Sequence, residues 1–170
     1  MRLGMAVFAV AVALGAGAQD SPTPPHVAAN PARVQIAGVP SLDRNDVKAR
    51  IAALIPEAKV KGSSGGTLAD YGTYKIQISV RTASGGAEVH AHWDDVMMVE
   101  QGSATLITGG TVVGGKTDAD GETHGLKIEG GHTQALAAGD MVTVRAGTPH
   151  QIMLAPGTVY GAVVVKIHEP

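Results

Sequence analysis

The chain has 170 residues, 44% hydrophobic and 16% charged, with one Trp, three Tyr, one Phe and no Cys, which suits a single globular core and excludes a disordered chain. Its formal net charge of −2 offers nothing that attracts nucleic acid. Without Cys there are no disulfides, so stability must come from packing or from a bound ion.

Residues 1–18 begin with one basic side chain, Arg2, continue as an uncharged run from Leu3, and close on Ala16-Gly17-Ala18. A short basic start, an apolar middle and small residues at the end are the build of a secretory signal. The run thins into Gly and Ala before it reaches the ~20 apolar residues that span a bilayer. The expectation is cleavage after Ala18 and a periplasmic or secreted mature protein with no membrane insertion. Twelve basic and fifteen acidic side chains then remain, a formal net charge of −3. Phe8 leaves with the signal, so the core must be aliphatic.

Residues 19–32 read as a Pro-rich tether, since QDSPTPPHVAANP holds four prolines in thirteen residues and such a segment is extended. His26 within it is expected to face solvent. Residues 33–66 are expected to hold one amphipathic helix and its connection. In SLDRNDVKARIAALIPEA, Val47, Ile51, Leu54 and Ile55 recur at helical spacing, Ser41 or Asp43 can cap the start and Pro56 ends it. That predicts about three turns, followed by KGSSGG as a flexible turn. From residue 67 to 170 short β-rich runs such as TYKIQISVRT, DDVMMVEQ, MVTVRA and TVYGAVVVKI alternate with Gly turns, the pattern of an antiparallel sandwich or barrel.

GTVVGGKT, Gly110–Thr117, satisfies the phosphate-loop pattern at every fixed position. A working phosphate loop needs a helix behind its Lys. Here TDADGETHG follows Lys116, with two helix-breaking glycines and added negative charge, so no ATP is expected and the stretch reads as a Gly-rich hairpin loop. DADG imitates part of a calcium loop, yet its first ligand position falls on Lys116 and no acidic residue closes it. It reads as a turn.

The chemistry concentrates in the histidines. EVHAHWDDVMMVEQG sets His90 and His92 two apart, so that on a strand both leave one face, with Asp94 and Asp95 nearby. GDMVTVRAGTPHQ sets His150 directly after a Gly-Thr-Pro turn. Two imidazoles on one face, a carboxylate and a third His are the ingredients of a mixed metal site.

These residues resemble the two short motifs of the cupin superfamily. Gly85 or Gly86, His90, His92, Asp95 and Gly102 stand in the first motif; Gly139, Arg145, Gly147 and His150 stand in the second. The resemblance covers roughly residues 70–167. Asp95 replaces the usual Glu, Arg145 replaces the usual Pro, and only Trp93 and Asp94 separate His92 from Asp95. Aligned without a gap from Asp95, the His-x-His pair would fall on Glu88 and His90, leaving His92 as an extra. Two registers therefore stand: His90, His92 and His150 with Asp95, or the same set with Glu88 in place of His92.

The resemblance implies an all-β fold, a cupin-like antiparallel β-barrel (double-stranded β-helix or jelly roll) with one N-terminal helix. It also implies one divalent first-row ion, Fe, Mn, Ni, Zn or Cu, on three His and a carboxylate. Four protein ligands on an octahedral ion leave two positions that can take a bidentate substrate or dioxygen. The expected function is a metal-dependent enzyme of oxygenase, isomerase or decarboxylase type acting on a small polar molecule. The alternatives are a non-catalytic cupin that binds a small ligand or a metal, and a structural barrel with degenerate ligands. A homodimer is implied by the same resemblance. His124 and His132 are expected to face water or, failing that, to belong to a lid. Met97, Met98, Met141 and Met153 are expected to fill the core, and Trp93 to line a pocket mouth or cover an edge.

Overall fold

The computed structural model describes residues 42–170, so the expected leader, the Pro-rich tether with His26, and the first part of the 33–66 segment lie outside the described residues. Helix α1 spans Arg44–Lys61. Asp43 caps it: its Oδ1 accepts from the backbone N–H of Asn45 at 2.7 Å and of Asp46 at 2.9 Å, while Asp46 Oδ2 accepts back from the Asp43 N–H. That is a reciprocal capping box. Val47 and Ile51 are buried and Leu54 and Ile55 half-buried, so the face read from the helical spacing is the face that packs.

Pro56 does not end the helix; α1 runs through it and closes at Gly62 in the left-handed region, φ 86°. An internal proline removes one hydrogen bond and crowds the carbonyl four residues back. Tertiary anchoring outweighs that cost. Ser64 Oγ donates to the Leu54 carbonyl at 2.7 Å, Thr82 Oγ1 donates to the Ala58 carbonyl at 2.6 Å, and Ala58 is fully buried.

The strands are β1 (Ser63–Asp70), β2 (Tyr74–Arg81), β3 (Ala87–His90), β4 (Trp93–Gln101), β5 (Ser103–Thr108), β6 (Thr111–Val113) and β7 (Lys116–Thr117). Beyond them come β8 (Glu122–Gly125), β9 (Lys127–Glu129), β10 (His132–Ala137), β11 (Met141–Val144), β12 (His150–Met153) and β13 (Tyr160–His168). They form one sheet in the order β1-β2-β13-β4-β11, a second in the order β10-β5-β12-β3-β8-β7, and a β6-β9 ribbon. Ser63–Gly66, expected to be a turn, pairs with Ile78–Arg81 and opens β1. Gly65 permits this, because a Cβ there would lie 2.2 Å from the Ile78 carbonyl oxygen.

The main core lies between the two sheets, where Met97, Val99, Ala162 and Val164 of the first meet Leu106, Leu136 and Ile152 of the second. The fold is thus the expected cupin-type jelly roll, built as two antiparallel sheets without closing into one hydrogen-bonded cylinder. A second core covers the outer face of the first sheet, where Ile78, Val80 and Val163 pack against α1. Gly161 lets the helix approach, since a Cβ there would stand 3.0 Å from Ile51 side-chain carbons. By alternation, β2 turns Ile78 and Val80 to the helix and Gln77, Ser79 and Arg81 to the space between the sheets.

The phosphate-loop look-alike folds as β6, a glycine turn and β7, with no helix behind it among the described residues. DADG is a turn in which Asp118 Oδ1 accepts from the N–H groups of Asp120 and Glu122. The long stretch between the two motifs is therefore no separate lid, because β8 pairs with β3 and extends the second sheet. His124 on β8 and His132 on β10 are exposed. Of the four methionines, Met97 is buried, whereas Met141 is 69% exposed and fills no core.

Candidate metal centre

Four side chains from three strands converge between the sheets. β3 supplies Glu88 and His90, two apart on one face, β4 supplies Asp95, and β12 supplies His150. His90 Nε2 lies 3.4 Å from Asp95 Oδ2 and 3.9 Å from Glu88 Oε2. His150 Nε2 lies 3.9 Å from Asp95 Oδ2 and 4.0 Å from Glu88 Oε2. Glu88, His90 and His150 offer ligand atoms that all lie within 4.8 Å of one another, and Asp95 adds a carboxylate against both rings.

His92 is not among them. The expected strand through His90 and His92 breaks, because β3 ends at His90 and residues 91 and 92 form a bend before β4 starts at Trp93. The period-2 rule that would align the two rings therefore stops short of His92. His92 is exposed, its ring 6.1 Å from that of His168. Glu88 occupies the place that the first register gave to His92. Trp93 packs edge-on to His168 and beneath Lys75 Nζ, which makes it an edge cover.

His150 is held in the tautomer that metal ligation requires, and His90 is turned the same way. His150 Nδ1 lies 3.1 Å from the Thr148 carbonyl oxygen, which can only accept, so Nδ1 carries the proton and Nε2 presents a lone pair. His90 Nδ1 is hydrogen-bonded to Glu122 Oε2, which likewise turns Nε2 to the cluster. A carboxylate or carbonyl behind a ligating imidazole fixes its ring and raises its basicity. Glu122 is a site residue that no local pattern announced; only the β3–β8 register, which sets His90 opposite Glu122, reveals it.

Lys166 is a second such residue. It stands opposite Asp95 in the β13–β4 register, and its Nζ donates to Asp95 Oδ1 at 2.6 Å. Burial opposes the charge of Asp95, but His90 and Lys166 outweigh it and hold the carboxyl below its ordinary range. Burial also opposes the charge of His90, yet Asp95 and Glu122 raise its pKa. His150 is pushed down by burial, with repulsion from His90 adding to the effect. It is thus neutral at physiological pH.

The turn that delivers His150 explains one departure from the expected motifs. Thr148 N–H donates to the Arg145 carbonyl at 3.0 Å, and Gly147 between them has φ 75°, the geometry of a type II turn. Asp94, buried on the other side of β4 from Asp95, accepts from the Ala146 N–H at 2.7 Å and pairs with Arg145 Nη1 at 3.0 Å. Arg145 reaches on to Glu169 at 2.9 Å. An Arg where a Pro was expected thus balances a buried carboxylate. Asp94 is a structural anchor.

A cavity of about 120 Å³ opens beside the cluster, lined also by Arg81, Gln77, Ser79 and Tyr160. Arg81 Nη2 lies 3.5 Å from Glu88 Oε1. The donor chemistry fits a divalent first-row ion. Neighbouring donors at ~2.0–2.2 Å from one ion stand about 2.8–3.6 Å apart, from octahedral to tetrahedral, and the four His–carboxylate separations here run from 3.4 to 4.0 Å, so the side chains would draw in around an ion.

No protein-family model and no curated protein matches the chain. Among solved structures, TT1209 from Thermus thermophilus superposes with a TM-score of 0.51 at 16% identity, covering 72% of this chain and 95% of that one. An uncharacterized protein with a double-stranded β-helix domain from Klebsiella pneumoniae has a TM-score of 0.47 at 17% identity, over 62% of this chain and 76% of that one. The cupin domain of Schizosaccharomyces pombe Cnp3 has a TM-score of 0.47 at 9% identity, over 63% of this chain and 61% of that one. At 16% identity the likeness to TT1209 is one of fold alone.

Proposed function

We propose that this chain, whose fold is that of the cupin superfamily, holds one divalent first-row metal ion between its sheets and a small polar molecule beside it. The observation that carries this reading is the convergence of two imidazole Nε2 atoms on two carboxylates at 3.4–4.0 Å. His90, His150 and Glu88 would be the protein ligands, with Asp95 as the fourth. Such an ion would supply Lewis acidity and open coordination positions. The chain's own residues orient the rings through Glu122 and the Thr148 carbonyl, and line the ligand space with polar groups. A metal-dependent oxygenase, isomerase or decarboxylase and a non-catalytic binding protein both use such a site. Export as a periplasmic or secreted homodimer belongs to the same proposal; N-terminal sequencing and light scattering of the mature protein test it.

A second reading is a metal-free ion-pair network, favoured by Lys166 Nζ at 2.6 Å from Asp95, where a cation is already in place. Elemental analysis separates the two. Protein purified without chelator, then titrated with zinc or manganese at neutral pH, is expected to bind about one ion per chain, weakening as pH falls through the imidazole range. No uptake of either ion would leave the ion-pair network.

A further inference from the structure

Two cations in the cavity wall have no long-term partner if the carboxylates beside them hold a metal. Arg81 faces Glu88 at 3.5 Å and Lys166 faces Asp95 at 2.6 Å, and all four side chains line the same cavity. The remaining carboxylate, Glu122, is turned to His90 Nδ1 and is not part of the wall. A divalent ion matched by Glu88 and Asp95 leaves Arg81 and Lys166 as two unmatched positive charges facing about 120 Å³ of space, well above the ~10–15 Å³ that one water needs. Unbalanced buried charge is costly, so such a wall favours a ligand that brings negative charge.

An independent feature points the same way. Tyr160 is 2% exposed and lines the cavity, and its hydroxyl is the buried side-chain polar atom left without a hydrogen-bond partner among the described residues. Burial pushes that hydroxyl up to about 12, against the opposing pull of Arg81, so it stays protonated and can donate. Tyr160 pairs directly with Arg81 across β13 and β2, and Gln77 and Ser79 continue the polar row on β2. A native fold seldom leaves a buried hydroxyl unpaired unless something is meant to meet it.

We propose that the cavity is a site for a small carboxylate, with Arg81 and Lys166 as its charge-reading residues and the Tyr160 hydroxyl as a further donor, and that this anion and the metal bind cooperatively. The cooperativity is built into the two ion pairs: Arg81 and Lys166 sit on Glu88 Oε1 and Asp95 Oδ1, opposite the oxygens that face the imidazoles, and a metal on the latter would draw carboxylate charge away from each cation and leave it to the anion. By linkage the anion then strengthens metal binding by the same factor as the metal strengthens anion binding. The proposal rests on the metal reading above.

The test is calorimetric titration of the full chain, metal-free and zinc-loaded, with acetate and malonate, and with uncharged acetamide as control. Zinc content is measured separately. Expected are binding of both anions to the zinc-loaded protein, at least about tenfold weaker binding to the metal-free protein, and no binding of acetamide. Arg81→Gln and Lys166→Met should keep zinc but lose about tenfold or more in anion affinity, the scale of one charged hydrogen bond. Tyr160→Phe guards against misfolding as the cause, because it removes only an unpaired hydroxyl. It should melt no lower than the wild type and still weaken anion binding. Equal binding of acetate and acetamide, or wild-type anion affinity in all three variants with zinc retained, would overturn the anion site alone. Failure of the wild type to take up zinc would overturn the metal reading and this proposal with it.

Discussion

The space between the two sheets has two halves that share strands and follow opposite rules. The inward positions of β4 run from Asp95 to Met97 to Val99, those of β13 from Lys166 to Val164 to Ala162, and those of β12 from His150 to Ile152. Each strand thus changes from polar to apolar within one or two inward steps. In the apolar half, Leu106, Leu136 and Val144 are buried against one another and stabilise by area removed from water. In the polar half, every buried charge must be matched, and it is: Asp95 by Lys166 and His90, His90 by Glu122, Glu88 by Arg81. One half supplies stability and the other carries a desolvation cost for chemistry. Substitutions should therefore separate into those that move unfolding and those that move binding.

The largest effect on unfolding should come from the apolar half. Leu106→Ala opens a cavity at a residue 1% exposed and should cost ~2–5 kcal/mol in urea unfolding, while the folded fraction keeps its zinc stoichiometry. Loss of zinc at full folding would break the division. Asp94→Ala comes next, because it strips the Ala146 N–H and Arg145 of their buried partner beneath the His150 turn. The expected loss is about 1–3 kcal/mol, with zinc affinity reduced only through misplacement of His150. In the polar half, Glu122→Gln should weaken zinc about 10- to 100-fold, as removal of a group behind a ligating imidazole does, with less effect on unfolding than Leu106→Ala. Equal zinc affinity would mean that Glu122 does not orient His90.

The smallest effect is on the pH dependence of the metal-free protein. Asp95 is lowered in the fold, burial being outweighed by His90 and Lys166, so its contribution is present above the ordinary carboxylate value and lost as pH falls through the lowered one. His90 is raised, burial being outweighed by Asp95 and Glu122, so its contribution is present below the ordinary imidazole value and lost as pH rises through the raised one. Thermal melts should therefore decline on both sides. Added zinc should restore stability on the alkaline side only, where His90 Nε2 is free of its proton.

Much of this is legible in the amino-acid sequence, and the reasons are local. The face of α1 follows from the spacing of Val47, Ile51, Leu54 and Ile55, and the β-rich region from short runs between glycines. The turn before His150 follows from its Gly-Thr-Pro. What was not legible depends on pairing at a distance. Pro56 stays helical because Ser64 and Thr82 hold the neighbouring turn, β1 exists because β2 offers it an edge, and Glu122 and Lys166 reach the site by strand register. His92 stands apart from the cluster for a different reason: its spacing sets it beside His90 only on one continuous strand, and the bend at residues 91 and 92 interrupts it. The same spacing, shifted by two residues, brings Glu88 beside His90.

Whether Glu88 or His92 completes the proposed metal set can be read directly from the zinc stoichiometry and affinity of Glu88→Ala beside His92→Ala, with the wild type and His150→Ala as references. Glu88→Ala and His150→Ala should each lose zinc or bind it at least about 100-fold more weakly, since a ligand should matter no less than the groups behind it, and His92→Ala should bind like the wild type. Zinc lost in His92→Ala and retained in Glu88→Ala would contradict the arrangement of the site and restore the His-x-His register.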